Sequence, residues 1–259
     1  MAFKGEYPIT EEELCHYRKP GDFYPREEQI IKMVRDIFYD EGSGVDRSLF
    51  LPIKPEKTAF LLVDIQNDVV RPDAPLFCPD AHRMIPRVKR VLERCREVGV
   101  RPIFLEHCHD PRVGGQYWDL GHRRYFPRLV ERFINKRQAV YGTEEVKTFP
   151  AIAPRPDEKV VYKHRWDGFI GTDLEVTLRG MGVDTLIFSG VFAEQCVEST
   201  ARHAAELEYK VIYVSDLVAS HLPEQHQAVL GRIRVIFGLV MNSEELLADL
   251  AKPSKVKRE

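Results

Sequence analysis

The feature that most constrains this chain is an alternation, from Lys57 onward, of short apolar β-rich runs with longer stretches of helical periodicity. The runs lie at 59–65, 101–106, 159–163, 185–191, 210–215 and 234–237. Helical candidates fall between and after them, at 82–98, 125–133, 172–179, 197–207, 223–230 and 243–250. The runs lack the polar alternation of a strand with one wet face, so each reads as buried on both faces. A parallel sheet covered by helices on both sides satisfies that demand. The expected fold is therefore α/β, a doubly wound, mostly parallel six-stranded sheet in the order 3-2-1-4-5-6 with helices on both faces. Residues 57–259 are expected to form this domain, a length that buries a substantial core.

Residues 1–56 read differently, as an N-terminal extension rich in Pro, Tyr and acidic residues. It holds one amphipathic helix at about 26–39, with Ile30, Ile31, Val34, Ile37 and Phe38 on one face and Gly42, Ser43 and Gly44 ending it. A lone helix of this length is marginal in water, so it is expected to pack on its own domain or on another subunit. At the other end, 252–259 reads as a charged, frayed tail.

Composition excludes several classes of partner. Thirty-eight basic against 40 acidic residues leave a net charge of -2, which gives no field to attract nucleic acid or an anionic membrane. No apolar run approaches the roughly 20 residues of a membrane-spanning helix, and no basic, then apolar leader opens the chain. A cytoplasmic protein with a small-molecule partner is expected. The five cysteines (Cys15, Cys78, Cys95, Cys108, Cys196) are scattered, odd in number and free of any C-x-x-C pair, so free thiols are expected rather than disulfides or a zinc frame.

In sheets of this kind ligands sit beyond the carboxyl ends of the strands, near the reversal of strand order. The residues ending the runs there are Asp64, Glu106 with His107, Lys163, and the segment from Gly190 to Cys196. Asp64 and Lys163 each emerge abruptly from apolar residues. Taken singly, an Asp there reads as a cap and a Lys as a solvated side chain. Cys196 carries more: Gly190 and Val191 close a strand, 192–195 form a turn, and a helix is expected to start at Val197. A thiol at a helix N-terminus sees unpaired N–H groups and the positive end of the dipole, which favour thiolate.

Three segments acquire meaning together: V-D-I-Q-N-D at 63–68, K-H-R-W-D-G-F-I-G-T-D-L at 163–174, and S-G-V-F-A-E-Q-C-V-E-S-T-A-R-H-A at 189–204. In this order they resemble the signature segments of the isochorismatase-like cysteine hydrolases, over about 57–240. The resemblance implies a catalytic triad of Asp64, Lys163 and Cys196, a cis peptide at Val191–Phe192, and an oxyanion hole made by the backbone N–H groups of Phe192 and Cys196. It also implies a homo-oligomer and no cofactor. Phe192 and Ala193 depart from the small residue and threonine that members often carry.

The presence of a cysteine at 196 favours an amidase over members that cleave the vinyl ether of isochorismate. The stretches 196–200 and 207–209 resemble ureidoacrylate amidohydrolases, which points to a ureido or carbamoyl amide. Gln66 and Asn67 are the candidate polar contacts to the substrate, with Trp166 and Phe169 as aromatic walls; ordinary core packing is the plain alternative for that aromatic pair. Two rival readings stand beside this one. A nicotinamidase-like enzyme would use a metal held by His107, His109 and His122, although the D-x-H expected of it is absent. A non-catalytic binding protein would share only the fold.

Overall fold

The computed structural model describes residues 44–74, 76–109 and 139–251. The helices expected at 26–39 and 125–133, His122, Cys15 and the tail at 252–259 lie outside the described residues.

The six strands are β1 (Thr58–Val63), β2 (Arg101–His107), β3 (Lys159–Lys163), β4 (Thr185–Val191), β5 (Lys210–Ala219) and β6 (Gly238–Met241). They form one sheet in the order β3-β2-β1-β4-β5-β6, every pair parallel. The expected topology is thus the observed one. All six residues of β1 are buried. Phe60 and Leu62 pack in one apolar cluster and Ala59, Leu61 and Val63 in another, so the run is apolar throughout because both its faces are covered.

The described helices are α1 (Asn67–Val70), α2 (Pro79–Val98), α3 (Leu174–Gly180), α4 (Glu198–Glu206), α5 (Pro223–Arg232) and α6 (Ser243–Leu250). Helix α2 lays Ala81, Met84, Ile85, Val88, Val91, Leu92 and Cys95 on the first face of the sheet, a helical spacing, and stops at Gly99 in the left-handed conformation at φ 88°. Helix α6 packs on the same face and starts in a capping box between Asn242 and Glu245. Helices α3, α4 and α5 cover the opposite face. Val45, Phe50, Leu51 and Ile53 pack against the first cluster, and the Ile53 N–H donates to the Asp249 carboxylate at 2.8 Å.

The sixth strand departs from expectation. Residues 233–237 form a wide π turn continuing α5, and the strand begins only at Gly238. The continuous apolar run from 235 to 241 hides this boundary, since periodicity does not separate a short buried strand from a helix end. Gly238 marks it: a Cβ there would lie 2.3 Å from the Val211 carbonyl oxygen, so only glycine lets the chain close on β5. No helix among the described residues is long and apolar enough to cross a membrane.

Candidate active site

Register assembles the site. Val63 at the end of β1 pairs with Leu105 on β2 and with Gly190 on β4, while His107 on β2 pairs with Lys163 on β3. Asp64, His107, Lys163 and the segment after β4 therefore share one edge of the sheet, where strand order reverses between β1 and β4. Asp64 takes a left-handed backbone conformation at φ 53°, and its N–H donates to the Leu105 carbonyl at 2.9 Å. At Gly190 a Cβ would sit 2.0 Å from the Val63 carbonyl oxygen, and φ is 133°. Glycine is required there, and the close passage carries the turn beyond β4 over the end of β1. The Val191–Phe192 peptide bond is cis, as the resemblance implied.

Beyond it the chain makes a π turn over Ala193–Val197, and α4 begins at Glu198. Cys196 accordingly lies inside the wide turn rather than at the start of a helix. Its carbonyl accepts from Thr200 Oγ1 at 2.7 Å, and the same hydroxyl accepts from the Gly168 N–H at 2.9 Å. Asp167 pairs with His203 at 2.5 Å, so the loop bearing Trp166 is tied to α4 at two points.

Lys163 is the hub. Its side chain is fully buried, and Nζ lies 2.8 Å from Asp64 Oδ2, 3.2 Å from Cys196 Sγ and 3.0 Å from the Arg165 carbonyl oxygen. Donor atoms of Asp64, His107 and Cys196 lie within 4.8 Å of one another. The three residues expected to act together are thus brought together from three strand tips.

Burial governs the protonation states. It raises the Asp64 carboxyl above its ordinary value, with the Lys163 charge working against it. It also opposes the Lys163 charge, but Asp64 and Cys196 outweigh it and hold the ammonium above the usual lysine value. Cys196 is pushed well above an ordinary thiol by burial and then by the Asp64 charge, against Lys163. The resting residue is a thiol, not the thiolate that a helix N-terminus suggested. Its nearest carboxyl is that of Asp64, with which it shares a hydrogen bond.

The site opens on a cavity of about 140 Å³. Asp64, Cys196, His107, His109, Asp68, Gln195, Phe192 and Trp166 are among its lining residues, with Val69, Leu76 and Val191 as apolar wall. Of the other three candidate contacts, Gln66 lines the cavity, while Asn67 and Phe169 are not among its lining residues. Gln66 borders the cavity, but its amide is spent on backbone: Oε1 accepts from the His107 N–H at 3.0 Å, and Nε2 donates to the carbonyls of His107 at 3.0 Å and Val146 at 2.5 Å. Asn67 turns away to donate to the Glu144 carbonyl at 2.7 Å. Phe169 lies in the second core cluster, with its ring centroid 4.9 Å from His203 and 6.3 Å from Tyr209.

Asp68 was missed as a site residue, although it closes the same segment as Asp64. Its carboxyl is raised to about 7 by burial and by the neighbouring Asp64 charge. His107 and His109 are neutral, His107 held well below its ordinary value and His109 lowered to about 3, in both cases chiefly by burial and with Lys163 contributing. The Nε2 atoms of these two rings are 3.1 Å apart. As for the metal reading, His107 Nδ1 faces the Lys163 ammonium at 3.4 Å, and that ammonium already pairs with Asp64 and donates to Cys196. Among the described residues, this donor cluster has its cation built in.

Comparison with known proteins agrees with the fold and the order of segments. Residues 58–245 match the isochorismatase domain model. A ureidoacrylate amidohydrolase of Methylobacterium radiotolerans is 29% identical over 235 residues, covering 84% of this chain and 91% of that protein. Among solved structures, a cysteine hydrolase from Pseudomonas syringae superposes with TM-score 0.69 at 26% identity, over 82% of this chain and 98% of the other. N-carbamoylsarcosine amidase from Thermoplasma acidophilum gives TM-score 0.60 at 26% identity, over 73% and 97%. With the domain model spanning the whole sheet and the strand order matching the hydrolase fold, the chain belongs to the isochorismatase family of hydrolases.

Proposed function

We propose that this protein is a cysteine-dependent amidohydrolase that cleaves a C–N bond of a small ureido or carbamoyl compound through a thioester on Cys196. The observation carrying this reading is the Lys163 ammonium, fully buried and bonded at once to Asp64 at 2.8 Å and to the Cys196 sulfur at 3.2 Å beside the cavity. The named activities of the amidohydrolase and amidase relatives support the same bond type.

In the reaction, Asp64 takes the thiol proton as Sγ attacks the carbonyl carbon. The backbone N–H groups of Phe192 and Cys196, on the turn that lines the cavity, receive the oxyanion. Collapse breaks the C–N bond, and the proton on Asp64 passes to the departing nitrogen. Water then adds to the thioester, giving its proton to Asp64, and the returning thiol takes that proton back. Lys163 stays charged throughout and holds the Asp64 carboxyl and the Cys196 sulfur in register.

The test is product release from a panel of ureido acids, biuret, nicotinamide and simple amides, with Cys196→Ala as control. Turnover of a ureido or carbamoyl compound that vanishes in the variant is expected. Full activity in a folded Cys196→Ala protein contradicts the mechanism, and turnover of nicotinamide alone contradicts the substrate class.

A further inference from the structure

Asp68 has no part in the thioester chemistry, yet its position is costly. It is 3% exposed, lines the cavity, and makes no ion pair among the described residues. Its backbone is fixed on both sides: the N–H donates to the Glu145 carbonyl at 3.2 Å, and its carbonyl accepts from the Leu76 N–H at 3.1 Å. The side chain is therefore held where it is. The Ala139 N–H donates to the carboxyl, and Oδ1 is the oxygen left with no hydrogen-bond partner among the described residues. A buried acceptor without a donor costs free energy unless something else supplies one. Holding Ala139 does not require a carboxylate, since an asparagine oxygen would accept the same N–H. What the acid adds is a strong acceptor facing the reaction chamber.

We propose that Asp68 is a specificity-determining residue whose Oδ1 accepts a hydrogen bond from the N–H of the substrate nitrogen that is not cleaved. This rests on the amidohydrolase reading above and deepens it. A ureido carbonyl carries nitrogen on both sides. With the carbonyl oxygen at the Phe192 and Cys196 N–H groups and the departing nitrogen toward Asp64, the second nitrogen remains to be recognised. Asp68 and Asp64 line the same cavity, close enough for the charge of one to raise the other. A simple carboxamide has carbon in place of that nitrogen and offers Asp68 no donor. The enzyme therefore selects ureido compounds over their carbon isosteres.

The experiment uses N-carbamoyl-β-alanine against N-acetyl-β-alanine, where NH2 becomes CH3, and glutaramic acid, where NH becomes CH2. The two isosteres together cover cleavage on either side of the carbonyl. Wild-type protein is expected to prefer the ureido compound over both. Asp68→Asn is the informative variant: the Ala139 N–H requires its oxygen, so its NH2 is turned into the cavity, donor against donor. It should lower kcat/KM for the ureido compound by roughly 10- to 100-fold, mostly through KM, and leave the isosteres within about 3-fold. Asp68→Ala should abolish the preference as well.

Equal losses on all three substrates, an Asp68→Asn protein that keeps the preference, or a wild-type enzyme with none would overturn the role of Asp68 while leaving the amidohydrolase reading intact. Wild-type protein that cleaves none of the three overturns the ureido reading itself, and this inference with it.

Discussion

Two walls of one cavity solve the problem of buried polarity in opposite ways. At the tips of β1 and β3 and the turn after β4, the Lys163 ammonium joins Asp64 and Cys196 at 2.8 and 3.2 Å. Charge is kept there because its counter-charge is covalently supplied. Elsewhere in the lining, burial is the largest influence on Asp68, His107 and His109, raising the carboxyl to about 7 and lowering both imidazoles. The contrast teaches a division of labour. In the proposed mechanism the charged group moves a proton, and in the proposed role of Asp68 the rest of the lining reads the hydrogen-bonding pattern of the substrate.

The comparison breaks most sharply at Lys163. In Lys163→Met, Asp64 loses the charge that opposes the effect of burial, so its carboxyl rises further and its proton-accepting form becomes scarcer. With its base disabled the enzyme should lose about 10²- to 10⁴-fold in kcat, measured beside a circular-dichroism melt that confirms folding. Retained turnover would show that the charged wall does not work as described.

A smaller effect separates the walls by their response to pH. The Asp68 carboxyl is raised to about 7 from an ordinary 3.8, so the folded state holds this proton more tightly than the unfolded chain does. Its contribution to stability is complete below the unfolded value and is lost as pH climbs through about 7. Asparagine cannot ionise and escapes that loss. The Tm of Asp68→Asn should therefore gain on wild type between pH 5 and pH 8, by about 3–6 °C. A gap that stays constant with pH would mean that Asp68 ionises freely in the folded protein.

Much of this was legible in the chain, and the failures have identifiable causes. The strand tips stood out because Asp64 and Lys163 interrupt apolar runs, and parallel topology places such interruptions at one edge. Their meeting with Cys196 depends on register and on Gly190, which the sequence shows only as one glycine among 16. The π turn at 233–237 was hidden because the apolar run from 235 onward reads equally as strand or helix end, and Ala-Glu-Gln-Cys-Val at 193–197 carries nothing that separates a wide turn from the first turn of a helix. The amide partners of Gln66 and Asn67 were not legible, because a polar residue beyond a strand can serve a ligand or the backbone, and only the path of 144–148 shows that both amides bond to backbone carbonyls. The thiolate expected at Cys196 failed for a simpler reason. The favourable dipole was visible in the pattern, but the burial that outweighs it was not.

The claim that all else depends on is covalent: sulfur at 196 carries the acyl group between C–N cleavage and hydrolysis. Rapid-quench intact-mass measurement during turnover of N-carbamoyl-β-alanine tests it directly. An adduct is expected with the mass of the acyl fragment, mapped by proteolysis to Cys196, formed in wild type and missing in both Cys196→Ala and Asp64→Asn. Turnover with no covalent species at any time, or an adduct on another residue, would contradict the account.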